Sequence, residues 1–271
     1  MIEKWLVDTH CHLDFNVFDV DRADIIRRAK EADVIRIINP GVDIATSKLA
    51  LKLSEVFPEV FAAIGIHPNE IETFEVLKNG ELISLLSNPK VVAVGEIGLD
   101  YYWNKSPKDL QRKAFEFQLK MASEAGLPVI IHNREATQDI KSILSSWAVE
   151  LNANYPNLVK YPGVLHSFSG KIEDALQVVE LGFLIGITGP VTFKKAIELQ
   201  NLVTVIPLES LLVETDAPFL TPHPMRGKRN EPSYVKFTAE KIAELRGISY
   251  EQVAEVTTKN AFRLFRWREI F

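Results

Sequence analysis

The sequence predicts a (β/α)8 barrel, and three observations predict it. Its 271 residues suit one barrel of about 250 residues and are long for a single sandwich. Eight short runs rich in Val, Ile and Phe alternate with longer stretches of helical periodicity, at a repeat of about 30 residues, the size of one βα unit. The short runs are almost continuously apolar, as strands are in a parallel sheet covered on its outer face. An open doubly wound sheet shares the alternation, but it would gather its ligands at one switch point, whereas the candidate chemistry here is spread along most of the chain.

The strands are expected at 5–7, 34–38, 60–64, 91–94, 128–131, 163–165, 183–187 and 211–213, each followed by a segment that reads as a helix. The helix at 21–32 places Ile25, Ile26 and Ala29 on one side and its charges on the other. Gly126-Leu127-Pro128 stops one helix and starts a strand. Ser249 with Gln252 forms a capping box ahead of the last helix. With no linker, low-complexity tract or charge block, residues 1–271 are expected to form one domain.

Composition narrows the class. Hydrophobic residues at 46% and charged residues at 25% are globular values, which excludes disordered and fibrous chains. One cysteine makes no internal disulfide, and neither a secretory leader nor a membrane-length apolar run is visible, so a cytoplasmic location is expected. A net charge of −5 argues against a broad basic face for long nucleic acid, yet leaves room for a small basic patch beside bound cations. Nothing calls for an obligate protein partner or a membrane.

Five of the six histidines fall at, or within about three residues of, the C-terminal end of an expected strand: His10 and His12, His67, His132 and His166. Only His223 does not. In a barrel those ends share one face, so residues distant in sequence would gather there. His10 and His12, at i and i+2, project to one side with Cys11 on the other, and such a pair can grip one ion or simply satisfy a turn. Glu96 and Asp216 follow apolar runs in the same way. A carboxylate there is costly unless it is paired, hydrogen-bonded or bound to metal, and beside converging histidines metal ligation is favoured over a helix cap or a salt bridge.

The segments Asp8-Thr9-His10-Cys11-His12-Leu13, Gly65-Ile66-His67-Pro68, Gly95-Glu96-Ile97-Gly98-Leu99-Asp100-Tyr101, Ile131-His132-Asn133-Arg134, His166-Ser167-Phe168-Ser169-Gly170 and Glu214-Thr215-Asp216-Ala217-Pro218 together resemble the TatD-type metal-dependent deoxyribonucleases, a branch of the amidohydrolase superfamily. The resemblance runs along nearly the whole chain. It implies that His10, His12 and Asp216 hold one divalent ion, that His132 and His166 hold a second, and that Glu96 bridges them where many related enzymes use a carbamylated lysine. It further implies a substrate-side or supporting place for His67 and phosphate-facing places for Arg134 and the 225–230 loop, with Arg226 and Lys228. Asp216 is the expected general base. Imidazole mixed with carboxylate suits zinc, manganese or iron and admits magnesium with a weaker grip.

The leading expectation is therefore a 3′-5′ exodeoxyribonuclease acting on single-stranded DNA. Its alternatives keep the site but change the bond, to an amide or ester as in a D-aminoacyl-tRNA deacylase, or leave the metals to serve only stability or partner binding.

Overall fold

The computed structural model describes residues 4–78, 80–103 and 105–267. Eight strands occur where the apolar runs predict them: β1 (Leu6–Asp8), β2 (Val34–Pro40), β3 (Val60–Ile64), β4 (Val91–Asp100), β5 (Val129–Arg134), β6 (Gly163–Leu165), β7 (Leu184–Ile187) and β8 (Leu211–Val213). They lie in one sheet in chain order. The Thr9 N–H donates to Val213 O at 3.3 Å, which sets the end of β1 beside β8. This is the (β/α)8 barrel class.

The alternating helices are α1 (Arg22–Glu31), α2 (Ile44–Val56), the short α3 (Glu75–Lys78) and α4 (Glu81–Leu85), α5 (Lys108–Ala125), α6 (Thr137–Asn154), α7 (Ile172–Glu180), α8 (Ile197–Val205), α9 (Val235–Arg246) and α10 (Tyr250–Leu264). Each expected helix signal has its counterpart. Ile25, Ile26 and Ala29 are the buried face of α1, α5 stops at Gly126, and Ser249 and Gln252 cap α10 reciprocally. Asp43 and Thr46 form a second capping box at α2.

By packing, the chain forms two compact units. One comprises the residues up to Asn39, Ser167–Ala175 and the residues from Ile185 onward; the other comprises Pro40–His166 and Leu176–Leu184. Within the first, Arg36 lies between the rings of Phe262 and Trp267, 4.4 Å from each centroid. Arg28 reaches Glu231 in a two-pronged contact, Nε to Oε1 at 2.9 Å and Nη2 to Oε2 at 2.6 Å, and the Ser233 hydroxyl also donates to Glu231.

Burial pulls the Glu231 carboxyl upward, but the Arg28 and Ser233 hydrogen bonds outweigh it and hold the group below its ordinary value. A lowered folded-state pKa contributes stability that is complete above the unfolded value, about 4.3, and lost as pH falls through the folded one. Glu231→Gln should therefore lower the unfolding free energy at pH 7 by about 1.5 kcal/mol, the low end for a charged hydrogen bond because Arg28 is partly exposed. Denaturant melts should show the variant and parent converging below about pH 4, on the acid side of that unfolded value. A gap that stays constant with pH would mean the pair acts only through packing.

In the second unit β4 is buried along its whole length and runs to Asp100, six residues past the expected end. Its pairing with β5 slips between Val94 and Ile97: Val94 faces Val129 but Ile97 faces Ile131, so β4 carries an extra residue. Bulges of this kind re-aim side chains, and the re-aimed residue is Glu96. On α5 two buried glutamines meet backbone rather than water. Gln118 accepts the Ile66 N–H at 2.7 Å and donates to Ile66 O at 3.1 Å. Gln111 does the same for Asp100, at 2.9 and 3.0 Å. Each pins the chain beside a residue of the site described next.

Candidate metal centre

In the first unit, His10 and His12 project to one side just past β1, their Nε2 atoms 3.2 Å apart. Asp216 Oδ1 lies 3.8 Å from His10 Nε2 and 3.5 Å from His12 Nε2. Asp216 has φ 55, in the left-handed region that Asp tolerates better than most residues. Its N–H donates to His10 O at 2.8 Å, and Asn230 Nδ2 donates to the carbonyls of Thr215 and Phe219, which fixes the loop around it. Two imidazoles and a carboxylate meeting edge-on is a donor set for a divalent cation. Cys11 is fully buried and pairs with Ala217 through the backbone.

Three groups that sequence reasoning passed over support this set. Asp8, fully buried at the end of β1, accepts from the Thr215 N–H (2.9 Å), the Thr215 hydroxyl (2.6 Å) and the His10 N–H (3.3 Å). Burial dominates these contacts and pushes its carboxyl up to about 8. Glu214, also fully buried, accepts the Ser167 N–H at 2.5 Å and faces the Thr9 hydroxyl at 3.2 Å. Its carboxylate fits because position 186 is glycine: a Cβ there would lie 2.6 Å from Oε2. Asn39 and Asp14 bond reciprocally at 2.8 Å and hold the turn after His12.

In the second unit, Glu96, His132 and His166 converge. His132 Nδ1 and His166 Nε2 each lie 2.9 Å from Glu96 Oε1. On its other edge His132 Nε2 is 3.1 Å from Asp100 Oδ2, and Asn69 Nδ2 donates to the same oxygen at 3.0 Å. Burial alone would raise the Asp100 carboxyl. The His132 and Trp103 N–H contacts reverse this and hold it well below the usual carboxylate range. A carboxylate on the far nitrogen of a histidine fixes the tautomer whose near nitrogen carries the lone pair, and this is the support a metal-ligating histidine receives. Asp100 thus belongs to the site as the group that aims His132.

His67 stands beside this cluster, Nε2 3.7 Å from Glu96 Oε1. The Asn69 N–H donates to its Nδ1 at 3.1 Å, which leaves the proton on Nε2. Burial drives its pKa down to about 3, so it is a neutral donor at physiological pH.

The expected phosphate-facing residues fall in two places. Arg134 ends β5 and is exposed. Arg226 is exposed too, its guanidinium 4.0 Å above the Phe193 ring, in an open cavity of about 610 Å³ also lined by Lys194, Lys195 and His223. Lys228 is exposed on the same loop. Arg229, grouped with them by sequence, is committed elsewhere: it donates to Asp21 Oδ2 (2.6 Å) and Val17 O (2.5 Å) and covers Phe18. Lys194 and Lys195 follow β7 in a segment with no motif of its own.

A (β/α)8 barrel carrying buried imidazole and carboxylate groups at the C-terminal ends of its strands has the make-up of a metal-dependent hydrolase. The model of the TatD-related DNase family matches residues 7–266, and the chain belongs to that family. It is 45% identical over 261 residues to the uncharacterized metal-dependent hydrolase YabD of Bacillus subtilis, covering 96% of this chain and 99% of YabD. It is 36% identical to the 3′-5′ ssDNA/RNA exonuclease TatD of Escherichia fergusonii, covering 96% and 98%. The crystal structure of YjjV, a TatD homologue from Escherichia coli K12, matches with a TM-score of 0.89 at 32% identity, covering 99% of this chain and all of YjjV. Among the described residues no helix is long and apolar enough to cross a membrane.

Proposed function

We propose that the protein is an exonuclease that removes nucleotides from the 3′ end of single-stranded DNA, using two divalent ions, one on His10, His12 and Asp216 and the other on His132, His166 and Glu96. The observation that carries this reading is the presence, in each unit, of a compact set of histidines with one carboxylate. The name of the Escherichia fergusonii relative supports the substrate and the direction. Zinc or manganese suits the donors, and magnesium is admitted with a weaker grip.

Bound there, divalent ions supply Lewis acidity toward a phosphoryl oxygen and lower the pKa of a nearby water. The chain's own groups do the rest. Asp216 accepts the proton of the attacking water. Asp100 keeps His132 in one tautomer, and His67 offers its Nε2–H at the rim. Arg134, Arg226 and Lys228 hold phosphates by charge, the two arginines with two-pronged geometry.

The test is product analysis on end-labelled oligonucleotides with zinc, manganese and magnesium in turn. A ladder that shortens from the 3′ end of 5′-labelled single strands is expected. Turnover of D-aminoacyl-tRNA or a simple amide, with every oligonucleotide left intact, would replace this reading by the amide or ester hydrolase.

The double substitution Arg226→Gln with Lys228→Gln should raise KM for oligonucleotides about tenfold near 0.1 M salt and leave kcat within about twofold. Two phosphate contacts fewer should also flatten the log–log salt dependence by about 1.4, at roughly 0.7 per contact on single strands. An unchanged slope would show that neither side chain meets a phosphate.

A further inference from the structure

β4 and β5 end side by side, with Asp100 paired to Arg134 and the Tyr101 N–H donating to Arg134 O at 2.9 Å. Just beyond, Tyr102 and Trp103 stand 51% and 57% exposed, ring centroids 5.0 Å apart and nearly perpendicular. Arg134 lies over both, 4.0 Å from the Tyr102 centroid and 5.4 Å from that of Trp103, and among the described residues no carboxylate pairs with it. Two large aromatics left about half exposed forgo much of the burial that dominates core energetics.

Their backbone is nevertheless tightly set. Asp100 Oδ1 accepts the N–H of Tyr102 and of Trp103, both at 3.0 Å, while Oδ2 of the same carboxylate faces His132. One buried side chain therefore aims a proposed metal ligand and presents the aromatic pair. The rings are registered to the reacting centre.

The geometry points to Tyr102, Trp103 and Arg134 as a stacking shelf for an unpaired nucleobase of the substrate strand, one position removed from the nucleotide being cleaved. The occupant follows from the chemistry. A base offers a flat π-face to an indole or phenol, and its linking phosphate offers an anion to the guanidinium above them. Two side chains are far too small a patch for a stable protein partner, which needs about 800 Å² on each side. A duplex keeps its bases stacked on one another, so the shelf selects single strands. The inference rests on the nuclease reading.

The metal-loaded, full-length protein tests it with two substrates: oligo-dT, and the same oligomer with abasic deoxyribose at the positions behind the 3′ nucleotide. For the parent, KM should rise about tenfold from the first to the second, and oligo-dT alone should quench tryptophan emission. Trp103→Leu should already show the higher KM on oligo-dT, gain no further penalty from the abasic positions, and lose the quench. Trp103→Phe should restore KM to within about threefold. Both side chains are exposed, so thermal unfolding of the variants should match the parent. Equal parental KM on both oligomers, or a Trp103→Leu variant that keeps the full abasic penalty, would overturn the shelf while oligonucleotide turnover leaves the nuclease reading standing. If the parent releases no nucleotide from either oligomer, the nuclease reading fails, and the shelf with it.

Discussion

Glu96→Ala and Asp216→Asn each lower turnover roughly a thousandfold or more, in proteins that unfold as cooperatively as the parent. Asparagine is the informative change at 216, because it tolerates φ 55 where alanine adds strain, and so separates the chemistry from the backbone. Metal content then resolves the two carboxylates. Asp216→Asn should lose the ion on His10 and His12 and keep the other. Glu96→Ala should lose the ion on His132 and His166. Glu96→Lys should be inactive, since it replaces a buried carboxylate that His132 Nδ1 and His166 Nε2 both approach at 2.9 Å with a cation. Broad, non-cooperative unfolding of Glu96→Ala would instead make the residue structural.

The second large effect is on stability. Gly98 lies at φ 139, and a Cβ added there would come within 2.0 Å of His132 O, a backbone atom that cannot rotate away. Gly98→Ala must therefore part β4 from β5 where Glu96, Asp100 and His132 are held. A loss of more than about 3 kcal/mol in denaturant melts is expected, with failure to accumulate folded protein as its extreme. A folded variant of parental stability would show that the paired strands yield more easily than their burial suggests.

The strands and the principal helices were legible because their signals are local. An unbroken apolar run, a glycine stop or a Ser-x-x-Gln box needs no tertiary information, and eight such runs at one period point to a single topology. The histidines were legible by position, at strand ends. That rule was applied too narrowly: Asp8 and Asp100 also end their strands and Glu214 follows one directly, yet each reads in isolation as a cap or a surface charge. The length of β4 was hidden because glycines at 95 and 98 look like breakers; in the fold they are the places where β5 comes too close for a side chain. Gln111 and Gln118 were invisible for a different reason. Their task, receiving the backbone at Asp100 and Ile66, exists only after α5 has packed, and their polarity alone suggests solvent.

The two units differ in how far apart in the chain their donors lie. Glu96, His132 and His166 come from one uninterrupted stretch, 40–166, whereas Asp8 and Thr215, which brace the other set, are 207 positions apart. On a ribosome the chain emerges from its N-terminus. The donors of the middle set have therefore all been synthesised once residue 166 is added, whereas the brace between Asp8 and Thr215 has both its members only after residue 215, so the two sets are completed at different points of synthesis.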